Sequence, residues 1–146
     1  EKSAFSKSSI FNTKFTGSKI EDTVLTFSDL TKSSFADCTV AATLFDQTIL
    51  KNVIFSGTEF KDVFFAGSDL SDANFKGSKG LKPVYFYKAA NIDKALFDDD
   101  FKKELDEKLK NTTEDEFIHS INESELSSQR KRDVFNTLEE LRQRKK

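Results

Sequence analysis

Residues Asn52 to Phe75 read NVIFSGTEFKDVFFAGSDLSDANF, and a large apolar residue returns at every fifth place: Phe55, Phe60, Phe65, Leu70 and Phe75. A helix asks for a period of 3.6 and a flat strand for a period of 2, so neither explains a period of five. The pattern extends backwards without a break through Leu50, Phe45, Val40, Phe35, Leu30, Leu25, Ile20, Phe15, Ile10 and Phe5. At 36% apolar composition, fifteen such places in succession do not arise by chance. Two residues before each stands something small or β-branched, such as Ser33, Cys38, Thr48, Val53 or Ala73. A large and a small side chain two residues apart point the same way on a short strand. Two residues after the large one, Asn12, Gly17, Asp22, Asp37, Asn52, Gly57, Asp62, Gly67, Asp72 and Gly77 recur. These are residue types that tolerate left-handed backbone or bond their own main chain, so the chain can bend once in every five residues.

A short strand and a bend, repeated, make a coil. SDLSD followed by ANFKG, within residues 68–77, resembles the unit of the pentapeptide-repeat family: small, polar, large apolar, then two variable residues. The resemblance runs over residues 3–77. It implies an all-β solenoid, a right-handed quadrilateral β-helix in which four pentapeptides complete one square turn. Ser and Thr fill the small inward site more often here than the Ala commoner in the family, and their hydroxyls then need backbone partners inside the coil. Cys38, at one of these sites, reads as a small buried hydrophobe.

Four units per turn would place residues twenty apart directly above one another. Phe15, Phe35, Phe55 and Phe75 then form one core ladder, all Phe, and Ile10, Leu30, Leu50 and Leu70 form the next, all aliphatic. This sorting predicts about four coils, a rod of roughly 19 Å at the ~4.8 Å strand spacing.

The register breaks after Gly77 at SKGLKPVYFYK, which holds the single proline, Pro83. Residues 1–97 are therefore read as the β-helix, with an excursion at about 78–88 and then up to two further repeats, where Ala90 precedes Ile92 and Ala95 precedes Phe97. Residues 98–146 are read as an α-helical C-terminal appendage or cap. Phe97, Phe101, Leu105 and Leu109 fall four apart and share a helix face. Acids at Asp98, Asp99 and Asp100 suit a helix N-terminus, which accounts for them without a metal. Thr113 and Glu116 have capping-box spacing, and Ser124 is the expected opening of the last helix. Fewer than fifty helical residues make a thin core alone, so these helices are expected to dock on the end of the coil, on its side, or on a second copy.

Charge excludes little but steers the reading. The net charge is −2, divided between residues 1–79 (nine Lys, ten acids) and 80–146 (fourteen basic, fifteen acidic), so no overall field draws nucleic acid or an anionic membrane. No apolar stretch approaches the ~20 residues of a membrane span, which predicts a soluble chain. The compartment stays open, export or a lumen included, because the sequence begins at Glu1 with no Met. His119 is alone, the serines are periodic, and the glycines sit at corners, so no catalytic, cofactor-binding or metal-binding residue is assigned.

The functional expectation lies outside the coil. The position before the large residue is mostly polar, yet on one side it reads Ala4, Val24, Leu44 and Phe64, with Phe27 beside them. Val24, Phe27, Leu44 and Phe64 are the interface candidates, since contiguous exposed apolar surface marks a contact. The cover is either the chain's own helices or residues 81–87, or a protein partner or second copy in a homodimer. The reading is a non-catalytic interaction scaffold, not an enzyme, with no direct nucleic-acid contact. The alternative that the resemblance implies is a DNA-mimicking protein that binds the topoisomerase gyrase, although that mode wants a longer and more acidic rod.

Overall fold

The computed structural model describes residues 3–4 and 6–144. Phe5, the first member of the period of five, lies outside the described residues. The strands are β1 (Ser3–Ala4), β2 (Lys19–Glu21), β3 (Thr23–Val24), β4 (Thr39–Leu44) and β5 (Glu59–Phe64), and they pair in parallel. Each pairing joins residues twenty apart, as in Lys19 with Thr39 and Thr39 with Glu59. Single bridges repeat the same offset on the other sides, through Ser9, Asp29, Ile49 and Asp69 and through Lys14, Ser34, Ile54 and Asn74. The chain thus returns over itself every twenty residues.

The bend that permits this is left-handed backbone at every fifth residue. Asn12, Gly17, Asp22, Asn52, Gly57, Asp62, Gly67, Asp72 and Gly77 all have φ between 50° and 75°. Residues that local preference would not choose adopt left-handed backbone too, among them Phe27 at 63° and Ala42 at 49°. An L residue other than Gly or Asn adopts this conformation at a cost of roughly 1–2 kcal/mol, so the stacked hydrogen bonds of the neighbouring rounds impose it there. Ala42 lies within β4, whose two halves pair with β2 and β3 on either side of the corner.

Inside, rings stack on rings. Phe15, Phe35, Phe55 and Phe75 follow one another at centroid distances of 4.8, 5.2 and 4.9 Å with planes within 12°. Phe45 and Phe65 form a parallel stack at 5.2 Å and meet the first ladder edge-on, as in the 85° contact of Phe45 with Phe55. Both arrangements match the quadrupole preference of aromatic pairs. The small inward residues satisfy their polar atoms in a regular way. Ser33 Oγ donates to Ile10 O (2.8 Å), Thr48 Oγ1 to Leu25 O (2.8 Å) and Thr58 Oγ1 to Phe35 O (2.6 Å), each to the carbonyl twenty-three residues back. Cys38 Sγ makes the same contact with Phe15 O at 3.0 Å, and burial pushes its thiol above the ordinary value.

Residues 78–88, expected to leave the coil, stay in it. Phe65 N donates to Tyr85 O, Leu70 N to Ala90 O and Phe75 N to Leu96 O, so the bond offset of nineteen, as in Phe45 N to Phe64 O, becomes twenty and then twenty-one. One added residue is taken up around the 3-10 turn Pro83–Phe86 and a second around Ile92–Lys94. Proline suits the first turn because it starts a helical turn without needing an N–H partner. Both ladders continue through the insertions: Phe86 stacks on Phe65 at 5.0 Å and Phe97 on Phe75 at 5.0 Å.

Three helices follow, α1 (Asp99–Lys108), α2 (Glu114–Glu123) and α3 (Ser128–Gln143). Thr113 caps α2 by accepting from Glu116 N at 3.1 Å. Ser124, expected to open the last helix, instead ends α2, and Ser127 caps α3 by accepting from Arg130 N at 3.2 Å. Asp98 precedes α1 but spends its carboxylate on the Gly77 amide, 3.1 Å from each oxygen. Helix α1 covers the end of the coil, with Phe101 against Phe97 at 5.4 Å.

Two substitution pairs test this core. Phe55, with no exposed surface, should cost about 3–5 kcal/mol on replacement by Ala, whereas Phe11→Ala, at a ring 55% exposed, should cost under about 1 kcal/mol in urea unfolding. A Cβ at Gly80 would stand 2.0 Å from Phe60 O, while one at Gly17 meets nothing within 4 Å. Gly17→Ala should therefore lose only the left-handed penalty of about 1–2 kcal/mol, and Gly80→Ala distinctly more, by the same measurement.

Candidate functional site

The side of the coil bearing Val24, Leu44 and Phe64 runs between two rows of left-handed corners, one at Asp22, Ala42 and Asp62 and the other at Phe27, Gln47 and Gly67. The three side chains stand in register, Val24 on Leu44 and Leu44 on Phe64. All are buried: Leu44 and Phe64 completely, Val24 to 7% exposure. Of the four interface candidates only Phe27 reaches solvent appreciably, at 37%. Of the covers left open by the sequence, the chain itself takes the place, because the C-terminal helices need that stripe for a core as much as the stripe needs a cover.

The cover has two parts. Over Phe64, Tyr85 and Phe117 of α2 approach at 5.3 and 5.9 Å, and Tyr87 stacks on Phe117 at 4.6 Å. The Tyr85 hydroxyl accepts from Asp62 N at 3.0 Å, and burial pushes its pKa above the ordinary value. Asp62 Oδ2 accepts in turn from Glu125 N at 3.1 Å, which ties the loop after α2 to the corner. The rest of the side lies under α3, whose Val134, Thr137, Leu138 and Leu141 are buried. Leu141 Cδ2 would lie 2.8 Å from a Cβ at Gly67, so the helix side chain packs directly on the bare backbone of that corner.

Between α3 and the coil lies a polar seam. Arg130, with its side chain 15% exposed, reaches Asp22 Oδ1 at 2.8 Å and Asp133 Oδ2 at 2.9 Å. Asp46 is wholly buried, with Oδ1 accepting from Ala66 N at 3.0 Å. Its Oδ2 completes no hydrogen bond, although the Thr137 hydroxyl of α3 stands near. Burial pushes the Asp46 carboxyl up to about 7, opposed by the Ala66 N–H and the Thr137 hydroxyl and reinforced by the Asp133 carboxylate. Both polar atoms of the Gln47 side chain are also buried without a partner. Beside the seam a recess of about 250 Å³ opens, with Val24 and Phe27 on its floor and Lys7, Asp133 and Glu140 among its walls.

The sequence pattern gives no notice of Asp46, Gln47 or Arg130. Asp46 stands one place after a large inward residue, where Thr26 and Ala66 occupy the same position in adjacent rounds, so nothing local distinguishes it. Tyr85 and Phe117 are aromatic residues outside the period of five, and that is the one signal that could have marked them. Among the described residues, no group of three His, Cys, Asp or Glu side chains is placed to hold a metal ion, and no helix is long and apolar enough to cross a membrane.

Residues 41–77 match the family described as "Pentapeptide repeats (8 copies)". That stretch carries the repeat of this family, whose proteins form right-handed β-helices. Its fold is similar to that of Rfr23, a pentapeptide repeat protein from the cyanobacterium Cyanothece 51142, with 11% identity and a TM-score of 0.56 over 65% of this chain and 64% of that one. This chain thus spans just under two thirds of that protein's structure. A pentapeptide repeat protein from the Arabidopsis thaliana thylakoid lumen matches with 18% identity and a TM-score of 0.45, covering 68% of this chain and 74% of that one. QnrB1, a plasmid-mediated fluoroquinolone resistance protein, matches in trypsin-treated form with 12% identity and a TM-score of 0.32, covering 70% and 63%. No curated protein matches the sequence.

The seam and the surface pairs differ in weight. Arg130→Ala leaves the carboxylates of Asp22 and Asp133 facing each other half out of water, and should cost roughly 2–4 kcal/mol in chemical unfolding. Removing Lys61, whose bond to Glu125 is 65% and 76% exposed at its two ends, should leave the unfolding midpoint essentially unchanged.

Proposed function

We propose that this chain is a non-catalytic protein-interaction scaffold. In this reading it is a right-handed four-sided β-helix of about four coils, spanning residues 1–97, that carries an appendage of residues 98–146 and offers its outer residues to a protein partner or to a second copy. The apolar surface left on the sides of the coil carries the reading. Ile49, Ile54 and Leu96 are 39%, 41% and 52% exposed, and Phe27 remains accessible at the rim of α3. Ile49 belongs to the ladder of Asp29 and Asp69, while Ile54 and Leu96 share the next ladder with Ser34 and Asn74, so the three occupy adjoining sides.

A stiff backbone presents such residues with little ordering cost on binding, which suits a docking surface more than a reaction centre. Charge mimicry of DNA is less well supported, since the ladder Lys19, Thr39, Glu59 and Lys79 holds two cations and one acid where mimicry wants a continuous acidic row.

Replacing Phe27, Ile54 and Leu96 together with Glu should leave the unfolding free energy within about 1.5 kcal/mol of the parent, because none is a core residue. In sedimentation of native extracts, the parent chain is expected in a larger assembly that the triple variant fails to enter. Equal sedimentation of both as the free monomer overturns the reading.

A further inference from the structure

The seam beneath α3 has the composition of a release mechanism. Its charged groups number three carboxylates, Asp22 and Asp46 from the coil and Asp133 from the helix, against one guanidinium, Arg130. Arg130 is committed to Asp22 and Asp133, which leaves Asp46 without a cation. The remaining charges near the seam are Lys7 from the coil and Glu140 from α3, both lining the adjoining recess. Asp46 is nevertheless the deepest of the acids, with no exposed surface and one oxygen lacking a completed bond. Such a carboxyl is tolerated neutral and penalised as an anion.

Only lifting α3 can return Asp46 to water. The coil beneath it is closed by stacked rings and by hydrogen bonds on every side, such as Phe45 N to Phe64 O at 2.8 Å and Gln47 N to Ala66 O at 2.8 Å. Helix α3 is the last element described, and its hold on the coil rests on a few buried residues and on the seam itself. Local opening proceeds element by element, so a terminal helix lifts without unwinding the coil.

We propose that α3 is a displaceable cover over the Val24 and Leu44 side of the coil, docked while Asp46 is protonated and released as Asp46 ionises. This regulation does not depend on which surface a partner uses.

The sign follows from linkage. The Asp46 carboxyl lies at about 7 when docked and near its ordinary 3.8 when α3 is lifted. Docking is therefore fully favoured below the ordinary value, weakens as pH rises towards the docked value, and levels off above it. Between about pH 5.5 and about pH 8.5 the opening equilibrium should rise roughly thirtyfold.

Hydrogen exchange on the intact protein reads this directly, as protection factors corrected for intrinsic exchange chemistry. The α3 amides should lose roughly thirtyfold in protection across that pH interval while the α1 amides, which lie away from the seam, keep theirs. Asp46→Asn retains the volume and the acceptor for Ala66 N and should make α3 protection independent of pH. Asp46→Thr, the residue type that Thr26 places one round below, should do the same and serves if the Asn variant folds poorly. Three results each overturn the proposal: constant α3 protection in the parent chain, a slope that persists in the uncharged variants, or α1 losing protection in step with α3.

Discussion

The structure depends on one constraint, the return of the chain to the same place every twenty residues. Parallel hydrogen bonds between successive rounds require it, and left-handed backbone at every fifth residue supplies the turn. Once the offset is set, each inward side chain has a fixed neighbour above and below. A Phe at one round is then best met by a Phe at the next, because two flat rings fill a shared column without leaving a void. The inward Ser, Thr and Cys residues follow from the same geometry. Ser33, Cys38, Thr48 and Thr58 reach a main-chain carbonyl one round back, and Thr43 and Ser68 reach one in their own round, so a polar atom in the core costs little.

The constraint is strong enough to override local preference. Phe27 and Ala42 take up a backbone conformation that neither favours, because the rounds around them have already fixed where the corner must fall. It also absorbs irregularity. Two extra residues after Gly77 are stored in 3-10 turns, and the ring ladders resume through Phe86 and Phe97 as though nothing had intervened. A proline and a lost register thus mark a lengthened round where they suggested a departure from the coil.

A solenoid must also resolve its end and any apolar side. Helix α1 closes the end through Phe101, and α2 and α3 close the side of Val24, Leu44 and Phe64. The two kinds of cover differ in chemistry. Over Phe64 the contact is aromatic and continuous, through Tyr85, Tyr87 and Phe117. Under α3 it includes Asp46, Gln47 and Arg130, groups whose burial is expensive. The helix that lies over a buried, cation-free acid is the one whose docking carries an electrostatic cost.

The sequence alone determined whatever repeats. The period of five, the small residue two places before each large one, and the like-with-like sorting of Phe15, Phe35, Phe55 and Phe75 specify the coil, because each repeat makes the same local choice and the choices reinforce one another. It also marked Val24, Leu44 and Phe64 as a stripe needing cover. Only the tertiary structure decided what covers it, since the match between α3 and that side joins residues more than a hundred positions apart, as Arg130 joins Asp22. The same holds for Asp46. Its neighbours along the chain are unremarkable, and its chemistry comes from being closed over by a helix whose apolar spacing, Val134, Leu138 and Leu141, marks a face to bury but not where that face docks.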